Sequence, residues 1–295
     1  MQPPEGQLMD RVIFGDNQFF GVDHMSEARA REKMAKFKDT QKIIDVLDAT
    51  YDIGIRTFMC TTYDRLWEIG DHFRANKQKY QDYKFYPCMP YAHKYANTVT
   101  ELGIFGTLKR YAGGNIAGML AKGGMALAKR DMTSVMELLV DAEMKMFHDL
   151  NTPVIFLQNV VTDLLLSLGM TQFLVEFSNY VQKKYKAEAG FITMNLPQLV
   201  NELEKLGLDN PIVCSSINKI GFRMSGGRES YEKVLKEKRF RPVAMQVLAA
   251  GGVRPAEAIE YVAELEGIES IVFGASTPGH IRETKELIDK HSVRV

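Results

Sequence analysis

A chain of 295 residues with 45% hydrophobic and 25% charged positions can build one large α/β barrel or two smaller domains, and it excludes a disordered tail or a disulfide-stapled miniprotein. Its 37 basic residues balance 37 acidic ones, so no global field draws it to nucleic acid or to an anionic membrane. The three cysteines, Cys60, Cys88 and Cys214, lie far apart without CxxC spacing, which predicts reduced thiols and a cytoplasmic chain. The opening Met-Gln-Pro-Pro-Glu-Gly has no basic stretch leading into an apolar one, and no window approaches the length of a transmembrane helix.

In chain order, short β-branched or aromatic runs alternate with longer amphipathic segments. The predicted strands are 11–15, 55–60, 84–89, 153–158, 189–194, 211–217, 242–247 and 270–273. The predicted helices are 40–51, 66–79, 133–150, 170–185, 197–206, 229–238, 255–264 and 278–291. Three of them open with proline near the first helical position, where a missing N–H costs nothing. Gly54 and Gly207 stand where left-handed helix ends are expected. Strands alternating with helices predict a parallel sheet, and eight of each predict a (βα)8 TIM barrel in a single domain over 1–295.

Such barrels run to about 250 residues, so the surplus marks an insertion between the third strand and its following helix. It is a glycine-rich basic segment over 95–130; within it, 102–130 carries Lys109, Arg110, Lys122, Lys129 and Arg130 with no acidic residue. The functional expectation is a lid or an amphipathic surface for an anionic ligand or partner. The plainer expectation is a loose helical excursion with solvated lysines.

Active sites of this fold form at the carboxyl ends of the strands. Those positions read Gly15-Asp16-Asn17-Gln18, Cys60-Thr61-Thr62-Tyr63-Asp64, Cys88-Met89-Pro90-Tyr91 with His93 and Lys94, Gln158-Asn159, Asn195, Ser215-Ser216 with Asn218, 246–252 and 274–277. The last two are the clearest signal. Gln246 and Leu248 to Gly252, then Gly274-Ala275-Ser276-Thr277-Pro278 opening a helix, set backbone N–H groups where barrels commonly hold phosphate.

The stretch from Gly190 onward resembles an aldo-keto reductase. The resemblance rests on Asn195-Leu196-Pro197-Gln198-Leu199, Pro211-Ile212-Val213, 243–252 and above all Gly267-Ile268-Glu269-Ser270-Ile271-Val272-Phe273-Gly274-Ala275-Ser276-Thr277-Pro278-Gly279-His280-Ile281-Arg282-Glu283. Gly54-Ile55-Arg56-Thr57-Phe58 is similar to the family's second strand. The resemblance implies reduction of a small carbonyl substrate by NAD(P)H. It implies a dinucleotide held by Asn195, by Gln246, Leu248 and Gly251, by Gly274, Ser276 and Thr277, and by the closing helix through His280 and Glu283. The family protonates the carbonyl with a tyrosine tuned by a lysine, an aspartate and usually a histidine. Tyr63 stands for the tyrosine, with Lys94 or His93 as its cation.

The pattern departs from the family at the tuning residues. Met59-Cys60-Thr61 stand where the aspartate is expected, Cys88-Met89-Pro90 where the lysine is, and Gln158-Asn159 where the histidine is. A phenol with a pKa near 10 is a slow acid at neutral pH unless a neighbouring charge adjusts it. Met194 replaces a serine beside Asn195, and His280 stands where an arginine meets the 2′-phosphate, so NAD and NADP both stay open.

Two alternatives accompany the reductase reading. In one, a barrel enzyme of another class, a lyase or isomerase, acts on a small phosphorylated or carboxylate substrate with Asp16 as base, Cys60 or Cys88 as nucleophile and His93 in support. In the other, an inactive barrel binds a partner through the basic insertion. Asp16, His24, Cys60, Cys88 and His93 share one barrel end but lack a zinc spacing, so no metal is expected. Lys84 begins a strand and is expected to point away from that end.

Overall fold

The eight apolar runs become strands because a parallel sheet covered on both faces rewards continuous Val, Ile and Phe rather than alternation. In a computed structural model that describes residues 9–22, 26–91 and 132–292, they are β1 (Val12–Phe14), β2 (Thr57–Thr61), β3 (Lys84–Met89), β4 (Val154–Leu157), β5 (Glu188–Thr193), β6 (Ile212–Ser216), β7 (Arg241–Met245) and β8 (Ser270–Phe273). They pair in parallel as a closed barrel in the order β1-β2-β3-β4-β5-β6-β7-β8. The expected TIM barrel is therefore the observed one. The insertion expected over 95–130 lies outside the described residues.

Ten α-helices stand among the described residues: α1 (Glu27–Lys36), α2 (Thr40–Asp52), α3 (Leu66–Ala75), α4 (Met132–Met144), α5 (Asn159–Ser167), α6 (Gln172–Tyr185), α7 (Leu196–Lys205), α8 (Arg228–Glu237), α9 (Pro255–Glu264) and α10 (Pro278–Ser292). Two were not among the predicted helices. No residue of α1 is buried, so it has no apolar period to read; Ala, Glu, Arg and Lys form it by propensity, and the Ser26 side chain caps it at the Arg29 N–H. The helix α5 follows β4 at once and buries Thr162, Leu165 and Leu166.

The predicted helix 66–79 stops at Ala75, where the Asn76 N–H and side-chain amide both turn back to the His72 carbonyl. The predicted 133–150 is α-helical only to Met144 and ends in a 3-10 turn over Lys145–Phe147. Gly54 and Gly207 adopt left-handed φ of 91° and 74°, as their positions after α2 and α7 require.

Two compact units make up the chain. The first comprises Met1–Met59, Tyr80–Lys84 and Thr193–Val295, and the second Cys60–Lys79 and Phe85–Ile192. The first packs Phe14, Phe19, Phe37, Phe58 and Phe273, with Phe19 and Phe37 rings 4.9 Å apart. Its amino-end polar groups are paired. Lys84 Nζ donates to Asp10 at 2.8 Å, which turns Lys84 to the amino end as expected, and Arg241 holds Glu269 with two bonds of 2.8 and 2.9 Å.

In the second unit Phe73, Phe85 and Phe147 interlock, with Phe73 and Phe85 centroids 5.1 Å apart. There α4 is tied to α6 through one carboxylate: Asp141 accepts from Tyr180 Oη, from Tyr185 Oη at 2.7 Å and from Lys184 Nζ at 2.5 Å. Burial first, then the bond to Asp141, pushes both phenols well above the ordinary tyrosine value. A folded-state pKa raised in this way leaves stability intact below the unfolded value near 10 and removes it as pH rises beyond, because only the unfolded chain then sheds its protons. The melting temperature is accordingly expected to fall above about pH 10. A Tyr180→Phe/Tyr185→Phe variant should fall less steeply, and an unchanged alkaline slope would remove this pair from the effect.

Candidate active site

At the carboxyl end of β7 the chain enters a conformation that side chains resist. Gln246, Ala249 and Ala250 have φ of 54°, 46° and 55°, and Gly251 follows at 90°. Left-handed backbone at a non-glycine residue costs on the order of 1–3 kcal/mol and persists only where surroundings enforce it. The enforcing contacts are present. Ser216, buried at the end of β6, donates from Oγ to Gln246 Oε1 at 2.7 Å. Ala249 and Val253 pack on Ala258 with Leu248 and Phe222 against them. The Gln246 amide is thus pinned by its oxygen, leaving its N–H donors for another partner.

After β8, Gly274 meets the loop that follows β1. A Cβ on Gly274 would lie 2.0 Å from Gln18 Oε1, and Gln18 in turn donates from Nε2 to the Gly15 carbonyl at 2.7 Å. The buried Gln18 thus passes over Gly274, and a Cβ there would make the end of that side chain shift. Ser276 turns its carbonyl to Lys36 Nζ at 2.6 Å, and Thr277 Oγ1 accepts the His280 N–H at 3.4 Å at the start of α10. A Cβ on Gly279 in that first turn would meet nothing within 4 Å. A helix N-terminus, an open glycine and an ammonium group are donors of the kind that suit a phosphate.

Asn195 is already engaged. It begins α7 by accepting the Gln198 N–H at 3.4 Å, and its amide donates to Gln198 Oε1 at 2.8 Å. His280 and Glu283 are exposed on the first turns of α10. Asp16 is buried after β1, its carbonyl accepting the Phe19 N–H at 2.9 Å.

In the second unit, Tyr63 sits in the turn between β2 and α3, its N–H on the Thr61 carbonyl at 2.8 Å and its own carbonyl accepting from Leu66 at 2.9 Å. Its ring lies 4.8 Å from that of Tyr91, centroid to centroid, at 58°. Beneath this pair is a residue the sequence reading missed. Glu143 of α4 is 1% exposed; it accepts from Thr62 Oγ1 and from the Tyr91 N–H at 3.0 and 3.3 Å. One helical turn above it is the buried Val140, so an acid stands on the apolar face of α4; that was the available signal.

His24, His93 and Lys94 lie outside the described residues. Cys60 and Cys88 are buried, and Cys88 donates from Sγ to the Tyr86 carbonyl at 3.7 Å, the setting of small core residues. No group of three or more His, Cys, Asp or Glu among the described residues could hold a metal ion, and none of the described helices is long and apolar enough to cross a membrane.

No family model matches the chain, and no curated protein does. Solved structures do. An aldo-keto reductase from Brucella melitensis is 10% identical with a TM-score of 0.52, covering 98% of this chain and 93% of its own. The thermostable aldo-keto reductase Tm1743, solved with the inhibitor epalrestat, is 12% identical with a TM-score of 0.56, covering 97% and 92%. A Pseudomonas aeruginosa structure assigned to the same family reaches 12% and 0.58, covering 98% and 93%. At these identities the likeness is one of fold, and it runs the length of the chain.

The Gly274 and Gln18 contact has a measurable consequence. Gly274→Ala forces the end of the Gln18 side chain to shift, so it is expected to weaken the bond to the Gly15 carbonyl and destabilise by about 0.5–1.5 kcal/mol. Shortening the opposing side chain with Gln18→Ala should recover part of that loss in a double-mutant cycle followed by urea unfolding. Additive effects would show that the two residues do not meet.

Proposed function

We propose that this chain is an NAD(P)H-dependent oxidoreductase of the aldo-keto reductase type, a single barrel domain that reduces a small carbonyl compound to its alcohol. The observation that carries the reading is a fold shared with aldo-keto reductases over 97–98% of the chain. The donor set of the first unit supports it. Gln246 amide hydrogens, the first turn of α10 and the Lys36 ammonium are what a dinucleotide's carboxamide and phosphates need.

The cofactor, when bound, supplies a hydride to the carbonyl carbon. The chain's own part is the proton. In this reading Tyr63 would supply from its phenol the proton that the reduced carbonyl oxygen takes up. With the family's tuning residues absent at 59–61, 88–90 and 158–159, Lys94 or His93 is the proposed cation that adjusts Tyr63.

Two measurements test this reading. A ligand at one hundred times its Kd stabilises by about 2.7 kcal/mol, so millimolar NADPH or NADH should raise the melting temperature by several degrees. Tyr63→Phe should keep that shift and lose most turnover on small aldehydes and ketones. No shift with either nucleotide would overturn the cofactor assignment, and unchanged turnover in Tyr63→Phe would take the phenol out of the mechanism.

A further inference from the structure

Glu143 is the one acidic side chain among the described residues that is almost wholly buried in the second unit, and it belongs to neither strand whose end it touches. Burying a carboxylate is costly unless its oxygens are bonded, so a helix face that could hold a leucine holds an acid only where the bonds repay the burial. Its bonds go to two specific places. Thr62, itself fully buried, is the first residue after β2, and Tyr91 lies two residues after the end of β3. Tyr63 follows Thr62 directly. The two tyrosines whose rings meet at 4.8 Å are thus the anchored residue Tyr91 and the immediate neighbour of the anchored Thr62.

We propose that Glu143 is a positioning residue that fixes the Tyr63 and Tyr91 ring pair by clamping the chain at the ends of β2 and β3. The carboxylate holds Thr62 by its side chain and Tyr91 by its backbone, so it sets both backbones from which the rings project. Its catalytic consequence rests on the reading of Tyr63 as proton donor; the positioning itself does not. Thr62 and Tyr91 belong to the same clamp, and each can be altered from its own side.

The test separates the two. Tyrosine ring signals of 13C-labelled protein, assigned with Tyr63→Phe and Tyr91→Phe, report ring placement without any assay. Glu143→Leu should shift or broaden the Tyr63 and Tyr91 signals and leave most of the twelve tyrosines in place. Glu143→Gln, whose amide can still accept from the Tyr91 N–H, should largely restore them. Should the leucine variant not fold, Thr62→Val removes one arm of the clamp with little change of volume, and it should move the Tyr63 signal more than that of Tyr91. Tyr63 and Tyr91 signals that match wild type in folded Glu143→Leu or in Thr62→Val would overturn the proposal. In turnover, kcat of Glu143→Leu should fall roughly tenfold to a hundredfold, as for a catalytic group displaced by about an ångström, with KM for the nucleotide unchanged. A wild-type protein with no nucleotide-dependent turnover would instead count against the reductase reading, while the ring signals would still decide the clamp.

Discussion

The pairing of the first strand with the last is the constraint on which the first unit depends. Val12, Ile13 and Phe14 stand opposite Ile271, Val272 and Phe273, and the Gly15 N–H continues the ladder to the Phe273 carbonyl at 2.8 Å. An unpaired strand edge exposes a row of peptide groups, and closing the barrel satisfies them. The same closure brings the loop after β1 onto the loop after β8, where Gln18 crosses Gly274. The register of an apolar ladder thereby places residues far apart in sequence within bonding distance, and the start of α10 is held by Lys36 of α1 in the same way.

The two ends of the first unit are built on opposite principles. At the amino end, charge is neutralised by direct pairing: Asp10 with Lys84, and Glu269 with Arg241 and the Met9 N–H. These pairs are part-buried, and removing one partner would leave the other charge uncompensated. At the carboxyl end, Gln246, Ala249 and Ala250 hold left-handed backbone that a better-optimised loop would replace with glycine. In this fold the carboxyl face is the one that binds and the opposite face stabilises.

Much of the fold was legible because its signals are local. Strands such as Val154–Leu157 are wholly buried and read as unbroken apolar runs, and Pro197, Pro255 and Pro278 mark helix starts that the structure places at 196, 255 and 278. What escaped reading depends on contacts between distant segments. The helix α1 buries nothing, so no period betrays it, and the role of Lys36 appears only once α1 is set beside 276. Gly274 reads as an anion turn in the sequence, and its contact with Gln18, 256 positions away, is seen only in the structure. Asn195 carried the right chemistry for a ligand, yet its side chain is also the cap that starts α7. Glu143 was visible as an acid on an apolar helix face, but its purpose required knowing that the ends of β2 and β3 converge on it.

The proposed function requires the loops after β7 and β8 to hold a nicotinamide dinucleotide. Hydrogen–deuterium exchange of the full chain with and without saturating NADPH or NADH tests it most directly, because it reads the backbone N–H groups of those loops. The expected result is slower exchange in 246–252 and 276–281, with the already protected strands unchanged. Identical exchange in both segments with either nucleotide present would show that these loops do not hold it.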